Sequence, residues 1–373
     1  MSKLFLTLVV LVIVTSLSVP SCTFSKIIWH NFSSIDDYKI FDNAELSPSS
    51  KPFHFYESDK SELITELIKN EILKTDIDSL LSSNSTTAFL VIKNDTIIFE
   101  KYYNEYNDSS LSLSFSMAKS FLSMLTGCAI DDGYIKSVEQ PVTDFVPELT
   151  SKGFDKVKIK HLLQMTSGMD YSESDNPFGI HPHFYYGSDL EKKLLSLELA
   201  TEPGKEFRYK SGEAQLLGLV LSRALKSKSI TEYTQQRIWN PLGMEYGGLW
   251  SVDDEENKLE KVFCCLSARA KDFAKIGRLY LFNGNWNGTQ IVSQSWVEQS
   301  TKIDTSEGSA WFYQYMWWLV SADEKDFMAV GHLGQYIFVS PEKNLVIVRL
   351  GESEGSLTRK DWTRIFNALK KVI

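Results

Sequence analysis

The chain is poor in the residues that would point to metal or disulfide chemistry. It has four cysteines in 373 residues, and none forms a Cys-x-x-Cys pair. That spacing argues against a zinc ribbon and a disulfide framework. Cys128 falls on an apolar helical pattern and is expected to be a small core residue. Cys264 and Cys265 are adjacent, and neighbouring cysteines are expected to remain unbridged. Basic clusters are also missing. Net charge is −9, which argues against a nucleic-acid surface. No His-Glu-x-x-His pair and no Walker loop occurs, and no Gly-x-Ser-x-Gly elbow is expected. His181-Pro-His183 has no third ligand in reach, so it is read as loop rather than metal site. No cofactor and no metal are expected. Apolar residues make up 43% of the chain, enough for a core that needs no covalent staple.

A long apolar run is lacking too. Leu4 to Val14 is short for a membrane span and follows Met1-Ser2-Lys3, a signal-peptide layout. Cys22 comes just after it and resembles a lipoprotein acylation site, so residues 1–22 are read as a signal peptide. The mature protein is expected to be exported to the periplasm or cell envelope, either tethered through Cys22 or cleaved free. Residues 23–85 look like a spacer and N-terminal extension, with a helix from Ser61 to Lys74. Oligomeric state has no signature.

Residues 86–373 carry the rest. Two β-rich runs, Thr87 to Lys93 and Thr96 to Tyr103, flank Asn94-Asp95 and predict a hairpin. Helical patterns fill 116 to about 300. Strands return at 315–321, 326–330, 336–340 and 345–350, before a closing helix over 357–372. The fold class is therefore α/β of the α+β kind. Both chain ends build one mixed sheet flanked by helices, and a mostly helical lobe is inserted at about 135–300.

Two Ser-x-x-Lys segments occur. Ser340-Pro-Glu-Lys343 lies between strands and reads as a turn. Ser116-Met-Ala-Lys119 opens an apolar helix that Gly133 would stop. Three-residue spacing puts Ser116 and Lys119 on one helix face. The helix N-terminus favours a developing anion at Ser116. An apolar setting desolvates Lys119 and favours its neutral, basic form. The bland alternative is an N-cap beside a solvated lysine. Two further segments weigh against it. Tyr209 sits in a Gly-containing loop just before a helix over Ala214 to Leu225, where a phenol could relay a proton. Gly331-His332-Leu333-Gly334-Gln335 lies between strands, where glycines would let a substrate backbone approach closely.

Ser-x-x-Lys, then Tyr-x-Ser, then His-x-Gly, in this order, resembles the serine β-lactamase superfamily. The class C-like branch, with its esterases and 6-aminohexanoate-dimer hydrolases, is the most similar. Val157 to Met169, Phe145 to Leu149, Asn240 to Met244, Leu266 to Ala274 and Gly284 to Gly288 are also similar to family segments. The resemblance covers about residues 86–373 and implies a β-lactamase/transpeptidase-like fold. It implies Ser116 as acylated nucleophile, Lys119 as its base and Tyr209 as proton shuttle. It also implies that His332, Gly334 and Ser211 contact substrate, and that the N–H groups of Ser116 and Gln335 form the oxyanion hole. His332 stands where β-lactamases usually carry Lys, and Ser211 where class C enzymes carry Asn. Both departures favour a small ester or amide substrate over a β-lactam or cell-wall peptide. A catalytically silent surface-binding lipoprotein is the remaining alternative. Aromatic residues at 184–186 and 311–318 are candidates for the cleft border.

Overall fold

The computed structural model describes residues 23–373 apart from 31, 59, 68, 70–75, 175, 255 and 324. The segment read as a signal peptide therefore lies outside the described residues, as does most of the second half of the helix expected over 61–74. Its first half forms as Ser61–Leu67. No described helix is long and apolar enough to cross a membrane.

The main sheet has eight strands and draws on both chain ends, as the pattern predicts. Their order is Tyr313–Gln314, Trp317–Leu319, Phe327–Gly331, Gln335–Ser340, Leu345–Gly351, Thr86–Lys93, Thr96–Tyr102 and Tyr56–Glu57. All neighbours are antiparallel except the last pair, which is parallel, so the sheet is mixed. The hairpin over Thr86–Tyr102 turns at Asn94 and Asp95, both with positive φ (49° and 59°). Such paired left-handed residues match the twist of the flanking strands. The strand expected over 315–321 is broken instead, because Tyr315 and Met316 take φ of 40° and 66°. Two short strands flank that reversal.

Helices cover both faces. The closing helix Arg359–Val372 packs Trp362, Phe366 and Leu369 against Phe89, Phe338 and Ile347. On the other face lies Ala270–Leu281. A Cβ at Gly277 would meet Val346 and Ile337 at 2.7 and 2.9 Å, so glycine lets that helix sit close to the sheet. Beside it runs Met117–Asp131, buried on every side from Met117 to Ala129. A helix that is apolar all round belongs in the interior, and it carries the Ser116–Lys119 pair into the centre of the molecule.

Residues 23–57 are no spacer. Asn43–Leu46 joins a second, antiparallel sheet with Gly248–Ser251, Leu266–Ala268 and Ser112–Leu113. That sheet delivers the chain to Ser116. The helix Thr23–Trp29 packs on Ile180–Tyr185. The sequence pattern hides this because the contacts are contributed by isolated side chains and backbone groups, which leave no periodic signal.

Candidate active site

Ser116 is the residue that caps the buried helix Met117–Asp131, at φ −65° and ψ −7°. The preceding Phe115 holds φ 46°, a costly conformation for an aromatic residue. The bend brings Ser116 to the floor of a cleft of about 620 Å³. Lys119 Nζ lies one helical turn along and donates to Ser116 Oγ at 2.8 Å and to the Phe263 carbonyl at 2.8 Å. Its ammonium also stands 5.0 Å from the centre of the Tyr209 ring. Lys119 is 1% exposed. Burial pulls it down from 10.5 to about 8, against an opposing pull from the Glu173 carboxylate.

Tyr209 enters from a separate loop and lines the cleft beside Ser116, whose hydroxyl acts on its phenol. Burial pushes the phenol well above its ordinary value. Its ring packs on Tyr313 and Trp318, at 5.9 and 5.7 Å between centroids. The aromatic segment 311–318 therefore supports Tyr209 from behind and does not line the cleft. Backbone bonds tie the Tyr209 loop to the turn at Thr166–Gly168: Arg208 N–H donates to the Met165 carbonyl at 2.9 Å and Gly204 N–H to that of Thr166 at 2.7 Å. The segment Val157 to Met169 is thus a mount for Tyr209.

The third segment arrives as the turn between Phe327–Gly331 and Gln335–Ser340. His332 and Leu333 face the cleft, and the Phe115 ring meets His332 edge-on at 5.5 Å. Gly334 and Gln335 are buried and do not line it. Gln335 instead donates its side-chain amide to the carbonyls of His332 and Gly351. The glycines serve the protein rather than a substrate backbone. A Cβ on Gly331 would collide with the Ser114 carbonyl, and one on Gly334 with the Arg349 guanidinium. Arg349, fully buried, donates to the carbonyls of Gly334, Asn84 and Ser353 and so fastens the turn from below.

Several cleft residues escaped the sequence. Glu173 accepts hydrogen bonds from the N–H and hydroxyl of Ser211, and lies 3.4 Å from His181 Nδ1. Read from sequence as loop, His181-Pro-His183 is instead part of the short helix Ile180–Tyr185, and His181 lines the cleft. Tyr185 and Tyr186 line it as well, while Phe184 is buried behind them. Ile27, Phe32 and Ser33 come from the N-terminal segment. Only Tyr185 and Tyr186 carried a usable signal, as aromatics beside a polar loop.

Two expectations are overturned. Cys264 and Cys265 are joined by a disulfide, next to the Phe263 carbonyl that holds Lys119. Adjacent cysteines can bridge where the surrounding backbone fixes their peptide, and here both N–H groups bond the Lys261 carbonyl. Gly351-Glu352-Ser353-Glu354-Gly355 does match Gly-x-Ser-x-Gly. Ser353 lies outside the cleft, and its hydroxyl accepts from Gly355 N–H at 3.0 Å. It is a turn residue. Ser340 ends the strand Gln335–Ser340 outside the cleft, and a short helical stretch over Pro341–Lys343 follows it.

A family model described as Beta-lactamase matches residues 78–370. A 6-aminohexanoate-dimer hydrolase of Paenarthrobacter ureafaciens is 27% identical over 76% of this chain and 77% of its own. A Bacillus anthracis structure provisionally assigned as a 6-aminohexanoate-dimer hydrolase superposes with a TM-score of 0.79. It is 22% identical, over 92% of each chain. A family VIII carboxylesterase gives 0.65 at 14% identity, over 85% of this chain and 99% of its own.

Proposed function

Because the chain belongs to the β-lactamase family, we propose that it is a serine hydrolase that forms an acyl-enzyme on Ser116 and acts on small ester or amide substrates. The observation that carries this reading is the 2.8 Å contact between Ser116 Oγ and a lysine that burial has made weakly basic. With its affinity for a proton near 8, roughly a tenth of Lys119 is neutral at pH 7. The neutral amine takes the Ser116 proton as Oγ attacks the substrate carbonyl. The N–H of Ser116, at the head of the buried helix, donates to the resulting oxyanion. The proton passes through Lys119 and Tyr209 to the leaving group, the carbonyl re-forms, and the leaving group departs. Water then enters by the same route and releases the acid.

The walls of the cleft favour a substrate without a negative charge. Among the residues lining it, Glu173 is acidic and none is Lys or Arg. A β-lactam carboxylate would meet Glu173 with no Lys or Arg in the cleft lining to hold it, whereas neutral or amine-bearing acyl compounds pay no such electrostatic penalty. Export through residues 1–22, with a lipid tether at Cys22 or simple cleavage, completes the proposal. The intact mass of the mature protein distinguishes the two.

The test is labelling by a fluorophosphonate, followed by intact mass. Wild type is expected to gain one adduct and Ser116→Ala none, with the Ser116→Ala fold unchanged. An unlabelled wild type refutes the nucleophile and favours a binding protein. Faster hydrolysis of a chromogenic cephalosporin than of a p-nitrophenyl ester overturns the substrate assignment in favour of a β-lactamase or D,D-peptidase.

A further inference from the structure

The family match begins at residue 78, yet part of the cleft wall comes from before it. Ile27, Phe32 and Ser33 line the same cavity as Ser116. The chain around them is held by specific contacts of His30, Ile35 and Asp37. The Tyr186 hydroxyl donates to the His30 carbonyl, and the two rings stack with 24° between planes. The Tyr185 hydroxyl donates to the buried Asp37 carboxylate at 2.8 Å. Leu113 N–H, on the strand leading to Ser116, donates to the Ile35 carbonyl at 3.0 Å. The segment is therefore tied both to the helix bearing Tyr185 and to the strand that positions the nucleophile.

Its two apolar cleft residues differ in a telling way. Ile27 is 3% exposed and forms part of the wall, whereas Phe32 is 86% exposed and stands at the rim. An exposed phenyl ring contributes nothing to the core, and apolar surface at the mouth of a cavity gains a partner only when a ligand covers it. Tyr185 and Tyr186 continue the apolar surface inward. A linear aliphatic group fits this run of surface, because it can extend from the reacting carbonyl at Ser116 toward the rim.

We propose that Ile27 and Phe32 are a specificity element of the cleft, seating the aliphatic chain of the substrate. The proposal rests on the serine-hydrolase reading, and one experiment separates the two. Inactivation of the full chain by ethyl and octyl fluorophosphonates reports labelling and chain preference together, without requiring the natural substrate. Wild type is expected to react roughly tenfold faster with the octyl reagent, since each covered methylene adds to binding. In Phe32→Ala that preference should shrink at least about threefold, and Ile27→Ala should shrink it comparably. Phe32 is too exposed for its loss to unfold the protein, and an unchanged urea midpoint checks this. No labelling of wild type overturns the serine-hydrolase reading and the proposal with it. Labelling with no octyl preference, or a preference that both variants retain, overturns the proposal alone.

Discussion

Replacing Lys119 by methionine tests the idea that a buried cation is kept for chemistry at the expense of stability. In the unfolded chain this lysine titrates near 10.5, and in the fold near 8. Folding therefore costs more wherever the lysine must carry its proton. The penalty is complete below about pH 8, decreases as pH rises from 8 to 10.5, and vanishes above that range. At about pH 7 it amounts to about 3 kcal/mol, and at about pH 9.5 to about 1.5 kcal/mol. Lys119→Met removes the titration and also two hydrogen bonds, to Ser116 Oγ and the Phe263 carbonyl. The lost bonds make the sign of the effect at a single pH uninformative. Their loss is nearly independent of pH, however, and cancels when two pH values are compared. Urea unfolding of wild type and variant at both values should give a stability difference that favours the variant more at about pH 7, by about 2 kcal/mol. The same titration should make wild-type kcat/KM rise with pH and level off above about 8. A stability difference equal at the two pH values, or larger in favour of the variant at the higher one, would refute the buried-cation argument.

Other consequences concern the neighbours of that pair. Tyr209→Phe keeps the ring against Tyr313 and Trp318 but removes the hydroxyl at Ser116. A steady-state assay should show kcat reduced by roughly 10²- to 10⁴-fold with little change in the unfolding midpoint. Glu173→Gln removes the carboxylate that raises Lys119. The midpoint of the pH–rate profile should move to lower pH, and KM should fall for substrates bearing a carboxylate; an unmoved midpoint argues against electrostatic coupling. Replacing both Cys264 and Cys265 by serine frees the backbone that carries the Phe263 carbonyl. So short a loop contributes only about 1 kcal/mol to stability. The expected signature is a kcat reduced roughly tenfold, matched by wild type treated with a phosphine reductant. Full activity in both would show that the bridge does not position Lys119.

The sequence determined the features that are local or periodic. The Ser116–Lys119 spacing follows from the turn of a helix, and the apolar residues after it predicted that the helix would be buried and its lysine desolvated. Asn94-Asp95 marked the hairpin because few residue pairs tolerate two positive φ angles. Runs of β-branched and aromatic residues at both chain ends foretold the mixed sheet. The order Ser116, Tyr209, His332 was legible too, since each lies in a short motif of its own. Other features are decided by residues far apart in the chain, and these only the tertiary structure could reveal. Glu173 reaches Ser211 across a loop that has no pattern. Arg349 lies on a strand that reads as ordinary, yet it anchors the turn bearing His332. The Cys264–Cys265 bridge depends on how the surrounding backbone fixes one peptide. Ile27, Phe32 and Ser33 become cleft wall because nearby His30, Ile35 and Asp37 bond Tyr186, Leu113 and Tyr185, none of them near in sequence. A nucleophile and its base can be specified by one helical turn, but the shape and charge of the space in front of them are set by whatever distant segments pack there.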